Sequence, residues 1–203
     1  MIRRLALLAA ASIALALPAA ARAQAIEAAG VRFEPAVQLA GSRLQLNGAG
    51  VRYKAVFKVY AAGLYLPQKA ATAEAALSAT GPRRMQIVML REIDANELGK
   101  LFTRGMEQNA SRDEFSKVIP GVIKLGEIFA ARKKLAGGDS FSIDYVPGTG
   151  STIVVNGKPA ADPIKEPEFF SALMKIWLGP APVDAQLKEA LLGAKPAAKD
   201  SFN

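Results

Sequence analysis

The sequence predicts an α+β fold, a single domain built on an antiparallel sheet. Strand-like segments fill residues 25–67, helical segments follow, a hairpin signal stands at Asn156-Gly157, and helical segments close the chain. Strands and helices that come in runs, rather than in strict alternation, point to this class. The 203 residues are 51% hydrophobic, enough to bury one sizeable core. Neither an internal repeat nor a linker divides them.

Val31 to Gln38 reads as a strand, and its interior Pro35 places it at an edge or a bulge. Gly41-Ser42 is a turn, and Arg43 to Leu46 a short strand. Gly48-Ala49-Gly50 lets backbones approach closely. A long strand then runs on until Gly63 and Pro67 end the region. Thr72 to Ser78 is a short helix closed by Gly81-Pro82, and the apolar Arg84 to Leu90 a buried strand.

Asp94 starts a helix, with Glu97 in the capping-box position and Leu98, Leu101, Phe102 and Met106 along one face. Ser111 and Glu114 repeat the box before a helix carrying Phe115, Val118, Ile119, Val122, Leu125 and Phe129. Pro120 should kink or divide that helix, and Gly137-Gly138 should end it. Phe141 to Val146 and Ser151 to Val155 are strands, and Asn156-Gly157 is a tight hairpin turn. Pro167 to Leu178 and Asp184 to Leu192 are helices.

The N-terminus has the layout of a secretory signal peptide over residues 1–23. Arg3 and Arg4 precede an apolar run from Leu5 to Leu17, Pro18 breaks it, and Ala21-Arg22-Ala23 is a small-x-small cleavage site. The run is short for a span of roughly 20 residues. The expected division is therefore a signal peptide 1–23, a domain 24–193 and a flexible tail 194–203, with a periplasmic or secreted location and no transmembrane span in the mature chain. Losing Arg3, Arg4 and Arg22 with the peptide lowers the net charge from +8 to +5.

The absent residue types narrow the chemistry. Without histidine or cysteine, Ser-His-Asp and Cys-His catalysis, thiol redox chemistry and His- or Cys-ligated zinc or haem are excluded. No loop clusters Asp and Glu at the spacing of a hard-metal site, so neither metal nor cofactor is expected. The lysines and arginines are scattered and not interleaved with aromatics, which argues against nucleic-acid binding.

The segment LNGAGVRYKAVFKVYAAGLYLP, residues 46–67, has a particular pattern. Arg52, Lys54, Lys58 and Tyr60 share one strand parity, and Val51, Tyr53, Phe57 and Val59 share the other. Alternate strand residues face opposite ways, so one face reads as apolar and the other as cations with a phenol. Lys54 and Lys58 read as solvated lysines that blunt an edge. On a straight strand roughly 26 Å would separate Arg52 from Tyr60. No Gly or Pro between Tyr53 and Val59 announces a bend.

VRFEPAVQLAGSRLQLNGAGVR, FKVYAAGLYL and FFSALMKIWLGPAPVDAQLKEALLG resemble the chalcone isomerase family, over roughly residues 26–193. The last block is similar to the C-terminal helix pair of bacterial members. The resemblance implies a chalcone-isomerase-like fold, a large antiparallel sheet backed by a layer of helices. The family's enzymes close a chalcone into a flavanone by intramolecular addition of a phenolate to an enone. On that pattern the conserved arginine falls on Arg52 and the helix lysine on Lys100. The chain departs from it at Tyr60, Glu97, Arg104 and Lys175 or Ile176. Non-catalytic relatives bind fatty acids, holding the carboxylate with an arginine and a tyrosine, and Arg52 with Tyr60 looks like that pair.

The leading expectation is thus an exported protein that binds a fatty acid or similar amphipathic carboxylate, with Arg52, Tyr60, Lys100 and Arg104 as ligand-binding residues. The alternative is an intramolecular lyase of chalcone isomerase type acting on a phenolic enone, through Arg52, Tyr60 and Lys100. A third reading is an interaction module with a vestigial pocket. Exported protein is expected to begin at or near Gln24. N-terminal sequencing checks this, and exported material that retains Met1 would contradict it.

Overall fold

The computed structural model describes residues 24–194, so the expected signal peptide and nearly all of the expected tail lie outside the described residues. The chain opens with a hairpin of β1 (Ile26–Ala28) and β2 (Val31–Phe33). The main sheet follows with β3 (Ala36–Leu39), β4 (Ser42–Lys54), β5 (Phe57–Leu66) and, after α1 (Ala73–Leu77), β6 (Arg83–Met89). Then come β7 (Ile93–Asp94), α2 (Ala95–Asn109), α3 (Arg112–Ala130) and β8 (Lys134–Leu135), with β7 paired to β8. The sheet is completed by β9 (Ser140–Val146), β10 (Gly150–Val155) and β11 (Lys158–Pro159). Helices α4 (Phe169–Leu178) and α5 (Ala185–Leu191) end the described chain.

Seven antiparallel strands lie in the order β11-β10-β9-β6-β5-β4-β3. The expected α+β class, with an antiparallel sheet and a helical layer, is what the chain forms. Central β5 is buried on both faces: Tyr60, Ala62, Leu64 and Leu66 join the larger core, and Ala61 and Tyr65 the smaller one. In the larger core Phe102 lies edge-on to Phe129 at 5.7 Å and to Trp177 at 5.5 Å between ring centroids. Helix α4 buries every residue except Ser171 and Lys175. Such all-round burial is the reason its sequence is apolar without a polar stripe.

Several elements differ from the sequence expectation. Pro35 separates β2 from β3 instead of sitting inside one strand. The short strand after Gly41-Ser42 and the start of the long strand are one 13-residue strand, β4, which carries straight through Gly48-Ala49-Gly50. The long strand itself is two strands, because the chain reverses at Ala55-Val56. Helix α3 runs through Pro120 and stops at Ala131, well before Gly137-Gly138. The Ser111–Glu114 capping box is complete, whereas at α2 the Asp94 carboxylate accepts from the Glu97 N–H while the Glu97 side chain pairs with Lys100.

The glycines of β4 set where α5 lies. A Cβ on Gly48 would stand 2.0 Å from the Ala190 carbonyl oxygen, and one on Gly50 would stand 2.7 Å from the Ala190 Cβ. Beside them a bulge frees Asn47 from the β4–β5 ladder. Its buried amide donates to the carbonyls of Ala70 and Leu191, at 2.9 and 2.7 Å, and accepts from the Ala70 N–H at 2.7 Å. Gly48→Ala is expected to lever α5 off the sheet and destabilise the fold by about 1–3 kcal/mol, as overpacking does. Chemical denaturation checks this, and an unchanged midpoint would contradict the close approach.

Candidate functional site

The reversal at Ala55-Val56 builds the site. Because β5 folds back along β4, Arg52 and Tyr60 become direct cross-strand partners. Directly opposed side chains on one face of an antiparallel pair have Cβ atoms about 4.5–5.5 Å apart. The distance of a straight strand therefore never arises. A register shift just beyond Arg52 leaves Val59 without a rung, and the ladder closes with Tyr53 opposite Lys58 and Lys54 opposite Phe57.

Tyr60 is 3% exposed, and its hydroxyl oxygen accepts a 2.9 Å hydrogen bond from the Trp177 indole N–H. An indole N–H can only donate, so the phenol's own proton is left to serve another acceptor. Burial pushes the phenol up to about 12, against smaller opposing effects from the Trp177 bond and the Arg52 charge. Tyr60 is therefore a neutral donor held in place by α4.

Arg52 faces Asp184, whose carboxylate lies 3.6 Å from the guanidinium. That carboxylate already accepts from the Tyr53 backbone N–H at 3.0 Å, and it caps α5 by accepting from the Leu187 N–H at 3.1 Å. Asp184 thus orients Arg52 without taking a hydrogen bond from it, and the guanidinium keeps donors for a further acceptor.

Arg52 and Tyr60 stand on the wall of a cavity of about 360 Å³. Its apolar wall includes Val59, Leu98, Leu101, Phe102, Ile176 and Val183. Lys54 and Arg104 also line it, so three cations face the cavity with Asp184 behind one of them. This volume lies within the roughly 300–1,000 Å³ range of small-molecule sites, which are mostly apolar with a few placed polar groups. A larger concavity of about 490 Å³ beside Asn47, Lys69 and Ala190 has a weaker claim. Its Asn47 amide is fully engaged by backbone groups, and Lys69 donates to the Asn47 carbonyl oxygen.

Of the four residues expected at the site, the structure brings three together: Arg52, Tyr60 and Arg104. Lys100 is not among the cavity-lining residues. It is exposed and bonded to Glu97 at 2.8 Å, while Leu98, Leu101, Phe102, Arg104, Gly105 and Gln108 are the α2 residues that line the cavity. Lys54, expected to be a solvated strand lysine, is exposed and also lines the cavity. Trp177 and Asp184 have roles that no spacing signalled. One reads as an ordinary core aromatic and the other as an ordinary helix cap. Lys175 pairs with Glu114 at 3.1 Å, and the neighbouring Ile176 faces the cavity. Among the described residues no cluster of acidic side chains could hold a metal ion, and no helix is long and apolar enough to cross a membrane.

The fold matches the crystal structure of a fatty-acid binding protein from Arabidopsis thaliana, with a TM-score of 0.68 at 14% identity, over 83% of this chain and 96% of that one. No curated protein matches the sequence. A family model described as chalcone isomerase-like matches residues 25–193. With nearly all of the described residues inside that match, the chain belongs to the chalcone isomerase-like family.

Proposed function

We propose that the protein is a carrier or sensor that binds a fatty acid or a similar amphipathic carboxylate. One observation carries this reading: Arg52 and Tyr60 face one another across adjacent strands on the wall of a largely apolar cavity, each with donor capacity to spare. A guanidinium offers a fork that fits a carboxylate, and a neutral phenol adds a donor without adding charge. Three cations against the single carboxylate of Asp184 leave the cavity attractive to an anion. Apolar walls then take the acyl chain, each buried methylene contributing about 0.8 kcal/mol. The likeness to a plant fatty-acid binding protein supports the same reading. The signal-peptide layout of residues 1–23 supports placing the carrier outside the cytoplasm.

Calorimetry with a fatty acid and the alcohol of equal length tests the clamp. The wild type is expected to prefer the acid, and Arg52→Ala to erase that preference at a cost of about 1.5–3 kcal/mol. Arg52→Lys keeps the charge but loses the fork, and should fall between the two. Equal affinity of the wild type for acid and alcohol would remove the clamp.

Tyr60 gives the reading a pH signature. A phenol raised from 10 to about 12 by folding contributes stability that is complete below pH 10 and lost as pH climbs toward 12. Tyr65, also raised to about 12 by burial, acts in the same direction. Tyr60→Phe should lose less stability than wild type between pH 10 and 12. It should start lower at neutral pH by about 1–3 kcal/mol, because the buried Trp177 N–H is left without an acceptor. Phenolate absorbance and denaturation across that pH range check both, and a wild-type Tyr60 that titrates near 10 would contradict them.

A further inference from the structure

The fold leaves an apolar tip uncovered at the β4–β5 reversal. Val56 is 82% exposed and Phe57 59%. The rungs Tyr53–Lys58 and Lys54–Phe57 lie beyond Tyr60–Met89, the outermost rung that β5 shares with β6, so the hairpin projects past the sheet. Ala55 holds φ at 52°, a left-handed conformation that alanine adopts only at a cost. Ala29 and Ala40 hold the same left-handed conformation at other hairpin turns, so what sets this turn apart is its two exposed apolar side chains.

Cations flank the tip. Lys54 and Lys58 are exposed on its two strands, and the Arg91 guanidinium carbon lies 5.3 Å from the Phe57 ring centroid. The carboxylates closest to these segments are engaged elsewhere: Asp184 accepts from the Tyr53 amide and faces Arg52, and Glu92 pairs with Lys134. The tip adjoins the cavity, since the same hairpin contributes Arg52, Lys54, Val59 and Tyr60 to its wall. Leu101 and Val183, two more exposed apolar side chains, lie on that wall too.

We propose that this tip docks on an anionic lipid bilayer and sets the cavity mouth against it, so that the acyl ligand passes between membrane and cavity. The docking stands on the tip's own geometry, while the cargo rests on the carrier reading above. Two apolar side chains ringed by cations fit the boundary between headgroups and acyl chains, where the apolar groups enter and the cations meet lipid phosphates. They fit a protein partner poorly. Stable protein interfaces bury about 1,600 Å² of matched surface, and a two-residue tip supplies little of it.

The absence of cysteine allows a direct test on the full chain. A polarity-sensitive fluorophore attached through Val56→Cys reports the tip, and one attached through Lys158→Cys, on the exposed strand β11, reports a remote surface. On vesicles of phosphatidylcholine with phosphatidylglycerol, the tip label should shift to the blue and the remote label should not. Salt should reverse the shift, because exposed charges are screened beyond about 10 Å at 0.1 M. Lys58→Gln should lower vesicle partitioning about five-fold, the share of one cation near an anionic surface. Phe57→Ser should lower it as well, and both should leave calorimetric affinity for the acid in solution unchanged. An unshifted tip label, equal shifts at the two positions, or equal shifts on phosphatidylcholine alone would overturn the proposal, even where the acid still binds in solution. A tip that inserts in a protein showing no preference for acid over alcohol would support the docking and remove the carrier reading instead.

Discussion

The antiparallel pairing of β4 with β5 is the constraint on which the rest of the molecule depends. It joins the edge strand β3 to the core of the sheet and places Arg52 against Tyr60. It also sends alternate residues of β5 into two separate cores. A shift of one residue would exchange the two faces of β5 and turn Tyr60 away from Trp177. The two bulges, at Asn47 and beyond Arg52, pin that register from both ends.

Helix α5 is tied to this pairing at both of its ends. Its N-terminus is capped by Asp184, which also holds the Tyr53 amide and faces Arg52. Its C-terminal turn sits on Gly48 and Gly50, and the Leu191 carbonyl accepts from the Asn47 amide. The carboxylate that positions the arginine is therefore a structural cap as well. The orientation of Arg52 comes from how the helix is seated on the sheet rather than from the strand alone.

Much of this was legible in the sequence, and what was not has a physical cause. Helices α2 and α3 announced themselves through caps and apolar faces and α4 through an unbroken apolar run, while glycines at positive φ marked the turn at Asn156-Gly157 and the one at Gly41, which begins one residue before the expected Gly41-Ser42. The turn at Ala55-Val56 has no such signal. It puts an alanine at positive φ and a valine at the tip, both against turn preference, so the pattern ran on as one strand. Whether Arg52 and Tyr60 could meet was therefore open from the sequence, although the two residues themselves could be read. Lys100 lies on α2 as expected, but the neighbouring Glu97 holds it on the solvent side. The roles of Trp177 and Asp184 are tertiary, arising across 117 and 131 residues of sequence, and no local pattern encodes them.

The Trp177–Tyr60 hydrogen bond has a practical side. Trp177 is the only tryptophan in the chain, and its indole N–H points at one phenol that lines the cavity. Indole emission responds to the polarity and hydrogen bonding of its surroundings. The molecule thus carries an intrinsic optical reporter one bond away from the place where a ligand's head group would sit. Occupancy of the cavity can be followed by the protein's own fluorescence, with no chemical modification and no competing indole.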